Sequence, residues 1–325
     1  MRIGVLKGNG IGSEIMRASQ RVLEATGIPI EWEDILIADE AIEKHGHPIP
    51  PETVAQLRSV GVTLKASIIT HKLLGLFVNP RPVKGYAGVS GRYEELDCII
   101  MREVTEDLYS GIEHKIGDDI AAEAIKLTTR AAATRVARYS FEYARKYGRK
   151  RVACLHKANV LNYTDGLFLR CFREVSKHYE DIETEELMID AACYLIVKDP
   201  KRFDVVLAAN QYGDIFSDLA AGLVGSLGLA PGMNVSDDLA VFEASHGAAP
   251  DIAGKGIANP LALVLSGALL LESVDRRKEA NAVREAVRVV VEGQKDLTPD
   301  LGGSGTTDSL TDAVVREVKR IMTCT

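Results

Sequence analysis

Short runs of apolar, often β-branched residues alternate along the chain with longer segments whose apolar residues recur every three or four positions. Residues 3–6 precede 14–23, residues 151–155 precede 166–177, and residues 203–209 precede 214–224. The short runs predict buried strands and the longer segments predict amphipathic helices. Such alternation predicts an α/β protein whose sheet is mostly parallel and covered by helices. The longest predicted helix is 120–147, rich in Ala and ending in Arg145 and Lys146 before Gly148, where cations meet the negative end of the helix dipole. Three more helices are predicted over 260–271, 278–291 and 309–321.

A chain of 325 residues exceeds what one core ordinarily organises, because single cores stop growing near ~250–300 residues. Two lobes are expected. The Pro- and Gly-rich stretches 79–91 and 229–235 mark the boundaries. Residues 1–91 and 231–325 then form a discontinuous large lobe, and residues 92–230 form a small lobe between its two parts.

Charge and composition narrow the function. Thirty-nine Lys and Arg against 46 Asp and Glu give a net charge of −7, which disfavours nucleic acid and anionic lipid as partners. No apolar run reaches the ~20 residues of a membrane span, and the opening residues read as a strand rather than a signal peptide. The five cysteines are odd in number and widely spaced, which suits reduced thiols in a cytoplasmic protein.

Several segments carry candidate chemistry. Gly8-Asn9-Gly10-Ile11-Gly12-Ser13 sits between a strand and a helix, but the third glycine of a dinucleotide fingerprint falls at Ser13. A tight turn with Ser13 as N-cap is the simpler reading. Asp214 and Asp218, at i and i+4, share one helix face, and oxygen ligands of this kind suit Mg²⁺ or Mn²⁺. Residues 242–260 are rich in Gly and Ala and include His246 and Asp251; they form either a ligand loop or a plain connection. Arg102 lies near Tyr109 in sequence, and Asn79-Pro80-Arg81-Pro82 offers a second arginine. Two arginines beside a candidate metal point to a polycarboxylate.

Together these segments resemble the β-decarboxylating dehydrogenases that act on isocitrate, homoisocitrate and 3-isopropylmalate. The motifs that carry the resemblance are TEDLYSGIEH (105–114), HKANVLNYTDGLF (156–168), NQYGDIFSD (210–218) and 242–260, in that order along nearly the whole chain. The resemblance implies a two-lobed isocitrate/isopropylmalate dehydrogenase-like fold, distinct from the Rossmann domain, in a homodimer or higher assembly with shared active sites. It implies Asp214 and Asp218 as metal ligands, joined by Asp190 across the dimer. Tyr109 is then the general acid, Lys157 the lysine supplied by the other subunit, and Arg81 and Arg102 the grip on substrate carboxylates. NAD would be held by Ile11, Glu243, His246, Gly247, Asp251, Ile252 and Asn259. Asp251 accepts from a ribose 2′-hydroxyl and repels a 2′-phosphate, so NAD is expected over NADP.

The sequence departs from the family upstream of Arg81. A Thr-Pro-Gly loop, a Ser-x-Asn pair and a further arginine are replaced by a shorter segment at 65–75. There Lys65, Ser67, His71 and Lys72 are the candidates to meet the distal group of the substrate, or else lie on a trimmed lid. The 105–114 motif looks isocitrate-like, making isocitrate to 2-oxoglutarate the leading reaction. Phosphonomethylmalate, homoisocitrate and 3-isopropylmalate are alternatives. A regulatory subunit of a hetero-oligomeric dehydrogenase is the rival from another class.

Overall fold

The computed structural model describes residues 1–66, 74–89 and 91–324. The chain divides into two compact units, one built from Met1–Leu74, Lys84–Glu94 and Ala221–Thr325 and the other from Gly75–Val83 and Glu95–Ala220. The chain opens with β1 (Arg2–Leu6), α1 (Gly12–Glu24), β2 (Glu31–Asp34), α2 (Ala38–His45), α3 (Pro51–Val60) and β3 (Val62–Lys65). It continues through β4 (Val78–Lys84), β5 (Asp97–Glu103), the hairpin β6 (Glu113–Ile116) and β7 (Ala121–Ala124), α4 (Arg130–Lys146) and β8 (Arg151–His156). Next come α5 (Thr164–Ser176), β9 (Glu183–Met188), α6 (Ile189–Lys198), β10 (Val205–Ala208) and α7 (Asn210–Val224). The chain closes with β11 (Pro231–Val235), β12 (Ala240–Ala244), α8 (Leu261–Ser273), α9 (Arg277–Glu292) and α10 (Thr307–Cys324).

In the first unit β1 lies between β2 and β3, parallel to both, and β3 runs parallel to β12. The β11–β12 pair there is antiparallel. Every residue from 261 to 271 in α8 is buried, the pattern of a helix enclosed on all sides. In the second unit β10 lies between β5 and β8, parallel to both, and β8 is parallel to β9. The unbroken apolar run Val205-Val206-Leu207-Ala208 is fully buried, as a central parallel strand covered on both faces requires. On the buried face of α4, Phe141 stacks on Phe172 at 5.5 Å and on Tyr179 at 5.0 Å. The mostly parallel α/β architecture is the one predicted.

Three local expectations are corrected. The helix expected over 120–147 begins only at Arg130, because Ala121–Ala124 pairs antiparallel with Glu113–Ile116 and Thr129 caps the helix by accepting from the Ala132 N–H at 3.2 Å. Alanine favours helix as a propensity, and strand pairing overrides it here. Ser13 is not an N-cap: α1 begins at Gly12, with Ile11 at the cap position and no side-chain cap. The two stretches expected to mark the lobe boundaries overlap β4 and β11, and Gly75–Val83 clusters with the second unit. Among the described residues no helix is long and apolar enough to cross a membrane.

Candidate active site

In the second unit, β5 carries Arg102 at its C-terminal end, and the parallel register with β10 brings it beside Ala208, just ahead of α7. Arg102 is buried, and its Nε donates to the backbone oxygen of Asn210 at 3.1 Å and to the Asn210 side-chain oxygen at 3.0 Å. Close approach requires Gly213, where a Cβ would lie 2.8 Å from the Arg102 side chain. The Arg102 guanidinium then reaches Asp214 Oδ1. Arg81, on β4, donates from Nη1 to the same oxygen at 3.0 Å and to Ser217 Oγ at 2.7 Å, and lies 3.6 Å from Asp218. Tyr109 donates its phenol to Asp214 Oδ2 at 2.6 Å while its ring sits 5.1 Å from the Arg102 guanidinium carbon.

The charges explain the titration behaviour. Burial and the neighbouring Arg81 pull Arg102 down to about 10, against the pull of Asp214. Burial pushes Asp214 upward, but the hydrogen bond from Tyr109 and the charges of Arg102 and Arg81 outweigh it, leaving the carboxyl below its ordinary value. Asp218 goes the other way: burial and the like charge of Asp214 raise it despite Arg81. Burial and the bond to Asp214 raise Tyr109, so the phenol holds its proton.

Asp214 and Asp218 fit a divalent cation of the Mg²⁺ type. Such an ion is held by one or two carboxylates and completes its shell with water and substrate oxygens. The two acids lie one turn apart within α7, which starts at Asn210 rather than at the acids themselves. No group of three His, Cys, Asp or Glu side chains gathers for a metal among the described residues, so Asp190 does not join the pair within one chain. Asp190 instead accepts from Lys157 Nζ at 2.5 Å, and this bond holds its carboxyl below the ordinary carboxylate value.

The acids of the 103–107 segment have a scaffolding role that the sequence did not disclose. Glu103 accepts from the Thr105 and Glu106 N–H groups at 2.7 and 3.1 Å, and Glu106 accepts from the Thr129 N–H at 2.7 Å and its hydroxyl at 2.6 Å. Asp107 has φ 69° and ψ −155°, a region that costs a non-glycine residue ~1–3 kcal/mol. Its carboxylate accepts from the Leu108 N–H at 2.8 Å and the Gln211 N–H at 2.9 Å. That strained turn aims Tyr109 toward Asp214.

In the first unit, the expected cofactor residues divide into two groups. The Ile11 N–H donates to the Ala248 oxygen at 3.0 Å and its side chain is buried. Asn259 is also committed: its amide donates to Asp300 at 2.9 Å and its oxygen caps the Leu261 N–H at 2.9 Å. Asp251 and Gly247 are exposed, Ile252 is half-buried, and His246 Nε2 is a buried atom without a hydrogen-bond partner among the described residues. An orphaned ring nitrogen is the kind of atom a bound ligand satisfies, and in this respect the loop fits a nucleotide.

Glu243 and Lys65 depart from expectation together. Lys65, expected at a substrate-facing rim, is buried and ion-paired to Glu243, which was expected at the cofactor and also accepts from Asn234 Nδ2 at 2.6 Å. A lysine head inside the protein needs such a partner. Ser67, His71 and Lys72 lie outside the described residues.

The folded units and this cluster of arginines, tyrosine and paired aspartates define a dehydrogenase, and the chain belongs to the isocitrate/isopropylmalate dehydrogenase family, whose family model matches residues 2–314. Among its relatives, the 3-isopropylmalate dehydrogenase of Archaeoglobus fulgidus is 47% identical over 313 residues, covering 93% of this chain and 95% of that protein. The mitochondrial NAD isocitrate dehydrogenase catalytic subunit 5 of Arabidopsis thaliana is 42% identical over 321 residues, covering 94% and 86%. A crystal structure of isocitrate dehydrogenase from Methylococcus capsulatus superposes with a TM-score of 0.93 at 41% identity, covering 98% of this chain and 99% of that one.

Proposed function

We propose that the protein catalyses the NAD-dependent, divalent-metal-assisted oxidative decarboxylation of a 2-hydroxy acid bearing a 3-carboxylate, with isocitrate to 2-oxoglutarate as the leading reaction. The observation that carries the reading is the convergence of Tyr109, Arg81 and Arg102 on Asp214, with Asp218 beside it. When bound, NAD and a divalent ion at Asp214 and Asp218 supply the hydride acceptor at C2 and the Lewis acidity for the developing oxyanion. Arg81 and Arg102 hold substrate carboxylates through their planar forks. Lys157 assists departure of the hydroxyl proton, and Tyr109 delivers its retained proton to the carbon from which CO₂ has left.

The enzyme works as a homodimer in which Lys157 and Asp190 complete the site of the other subunit. Asp251 favours NAD, and the free cysteines support a cytoplasmic location. Retention of Tyr109, Lys157, Asp190, Asp214 and Asp218 weighs against a regulatory subunit. The same chemistry on 3-isopropylmalate is the second reading, favoured by the Archaeoglobus relative, with homoisocitrate a further member of that series. Burial of Lys65 in an ion pair removes one charge from the cluster that would suit phosphonomethylmalate.

The test follows NADH absorbance with isocitrate, homoisocitrate, 3-isopropylmalate and phosphonomethylmalate, each with and without excess chelator. Isocitrate should give the highest kcat/KM, and chelator should abolish turnover. Undiminished activity in chelator would overturn the metal, and a better rival substrate would overturn isocitrate.

A further inference from the structure

Lys126 lies outside every motif assigned to chemistry, yet it sits between two buried carboxylates that hold the two catalytic segments. Its side chain is 11% exposed, and Nζ lies 2.7 Å from Asp165 Oδ1 and 3.5 Å from Asp107 Oδ1. Both acids are 2% exposed. Asp107 accepts from the Leu108 and Gln211 N–H groups, so it fixes the turn bearing Tyr109 to the first turn of the helix bearing Asp214. Asp165 accepts from the Lys157 N–H at 2.6 Å, so it fixes the backbone of Lys157 to the start of α5. Tyr212, on α7, places its ring 4.2 Å from Lys126 Nζ. The neighbouring Leu127 oxygen accepts from the Asp107 N–H at 2.9 Å, which fixes the lysine's own strand of chain to the strained turn.

We propose that Lys126 is a positioning residue for both Tyr109 and Lys157, its single ammonium holding together the two acids that orient them. This inference rests on the catalytic roles proposed above. Two buried carboxylates without a cation between them repel strongly. Their relief is to take up a proton or to move apart, and either change loosens the catalytic backbone segment that each carboxylate holds. A displacement of ~1 Å at such groups lowers turnover roughly 100-fold. Because Tyr109 serves the site of its own subunit and Lys157 the site of the other, one lysine governs a group in each of two active sites. A disturbance at Lys126 in one chain therefore reaches both.

The test uses the full-length holoenzyme with isocitrate, NAD and Mg²⁺. Tyr109→Phe and Lys157→Ala are measured first: if either keeps its kcat, the functional reading fails, whereas if both lose it, the reading stands and Lys126 is tested on its own. Lys126→Met should lower kcat at least ~10-fold with KM within ~3-fold and an unchanged dichroism spectrum. Lys126→Gln, which retains a hydrogen-bond donor, is read by the same criteria and stands in if the methionine variant does not fold. Lys126→Arg, which keeps the charge, should retain more kcat than either. Folded neutral variants with kcat within ~3-fold of the parent, or equal loss in all three variants, would overturn the proposal.

Differently tagged heterodimers separate a two-site role from a local one. A parent chain paired with a Tyr109→Phe chain should keep about half the activity, since one site stays intact, whereas a parent chain paired with Lys126→Met should keep no more than about a third, since each of its two sites carries one displaced group. Retention of half the activity by the second heterodimer would overturn control of both sites.

Discussion

Lys65 and Glu243 stand opposite each other on the neighbouring parallel strands β3 and β12, and their side chains pair inside the first unit. Truncating one member strands a buried charge, so Lys65→Met should destabilise the protein by ~3–5 kcal/mol, while Lys65→Met with Glu243→Leu recovers much of that loss. Denaturant midpoints of the two variants check the pairing. A single variant as stable as the parent would contradict it.

Tyr109 retains its proton because burial and Asp214 raise the phenol. Tyr109→Phe should lower kcat by roughly 100-fold with little change in KM, the signature of a group that acts in the transition state. Steady-state kinetics on isocitrate decide; a change confined to KM would move Tyr109 from catalysis to binding.

Shared sites predict complementation. Neither Lys157→Ala nor Tyr109→Phe homodimers should turn over well, but a mixture of the two chains should recover about a quarter of the parent activity, since half the dimers are mixed and each has one intact site. Absence of rescue after demonstrated subunit exchange would place both groups in one site of one chain.

Cofactor choice is tested at Asp251, which is exposed on its loop. Asp251→Lys should move the NAD:NADP ratio of kcat/KM toward NADP by at least ~10-fold, because attraction to the 2′-phosphate replaces repulsion. An unaltered protein that prefers NADP would refute the assignment.

The cysteines give a prediction independent of catalysis. Burial pushes the Cys98 thiol up to about 12 and raises Cys154 well above its ordinary value, while Cys324 is exposed. A raised thiol stays protonated as pH rises from 7 to 10, so Cys98 and Cys154 should stay unmodified by a thiol reagent across that range and react only in denaturant. Peptide mapping after alkylation should find Cys324 modified first.

The regular elements were legible wherever burial and periodicity agreed, as in the apolar run of β10 and the closing helices α8, α9 and α10. They were misread where composition and pairing conflicted: Ala121–Ala124 has helix-forming residues, yet it is a strand because Glu113–Ile116 lies against it. At the site, Arg81, Arg102, Tyr109 and Asp214 could be singled out from chemistry close in sequence and from motif resemblance. Asp107, Lys126 and Asp165 could not, because their importance lies in contacts between residues 19 and 39 positions apart. Lys65 misled for a related reason: a lysine in sequence carries no mark of the acid that will neutralise it across a sheet.

At Gly10 the opening turn meets the 246–249 loop so closely that a Cβ would fall 2.0 Å from the Ala248 oxygen, and Ile11 donates its N–H to that same oxygen. The joint is made of main chain on both sides, so the hydrogen bond itself does not depend on which side chains stand at 11 and 248. Sensitivity is concentrated instead at residue 10, where even a methyl group forces the segments apart. The glycine that first invited comparison with a phosphate cradle therefore keeps one stretch of protein against another, and the N–H that follows it has no anion to receive.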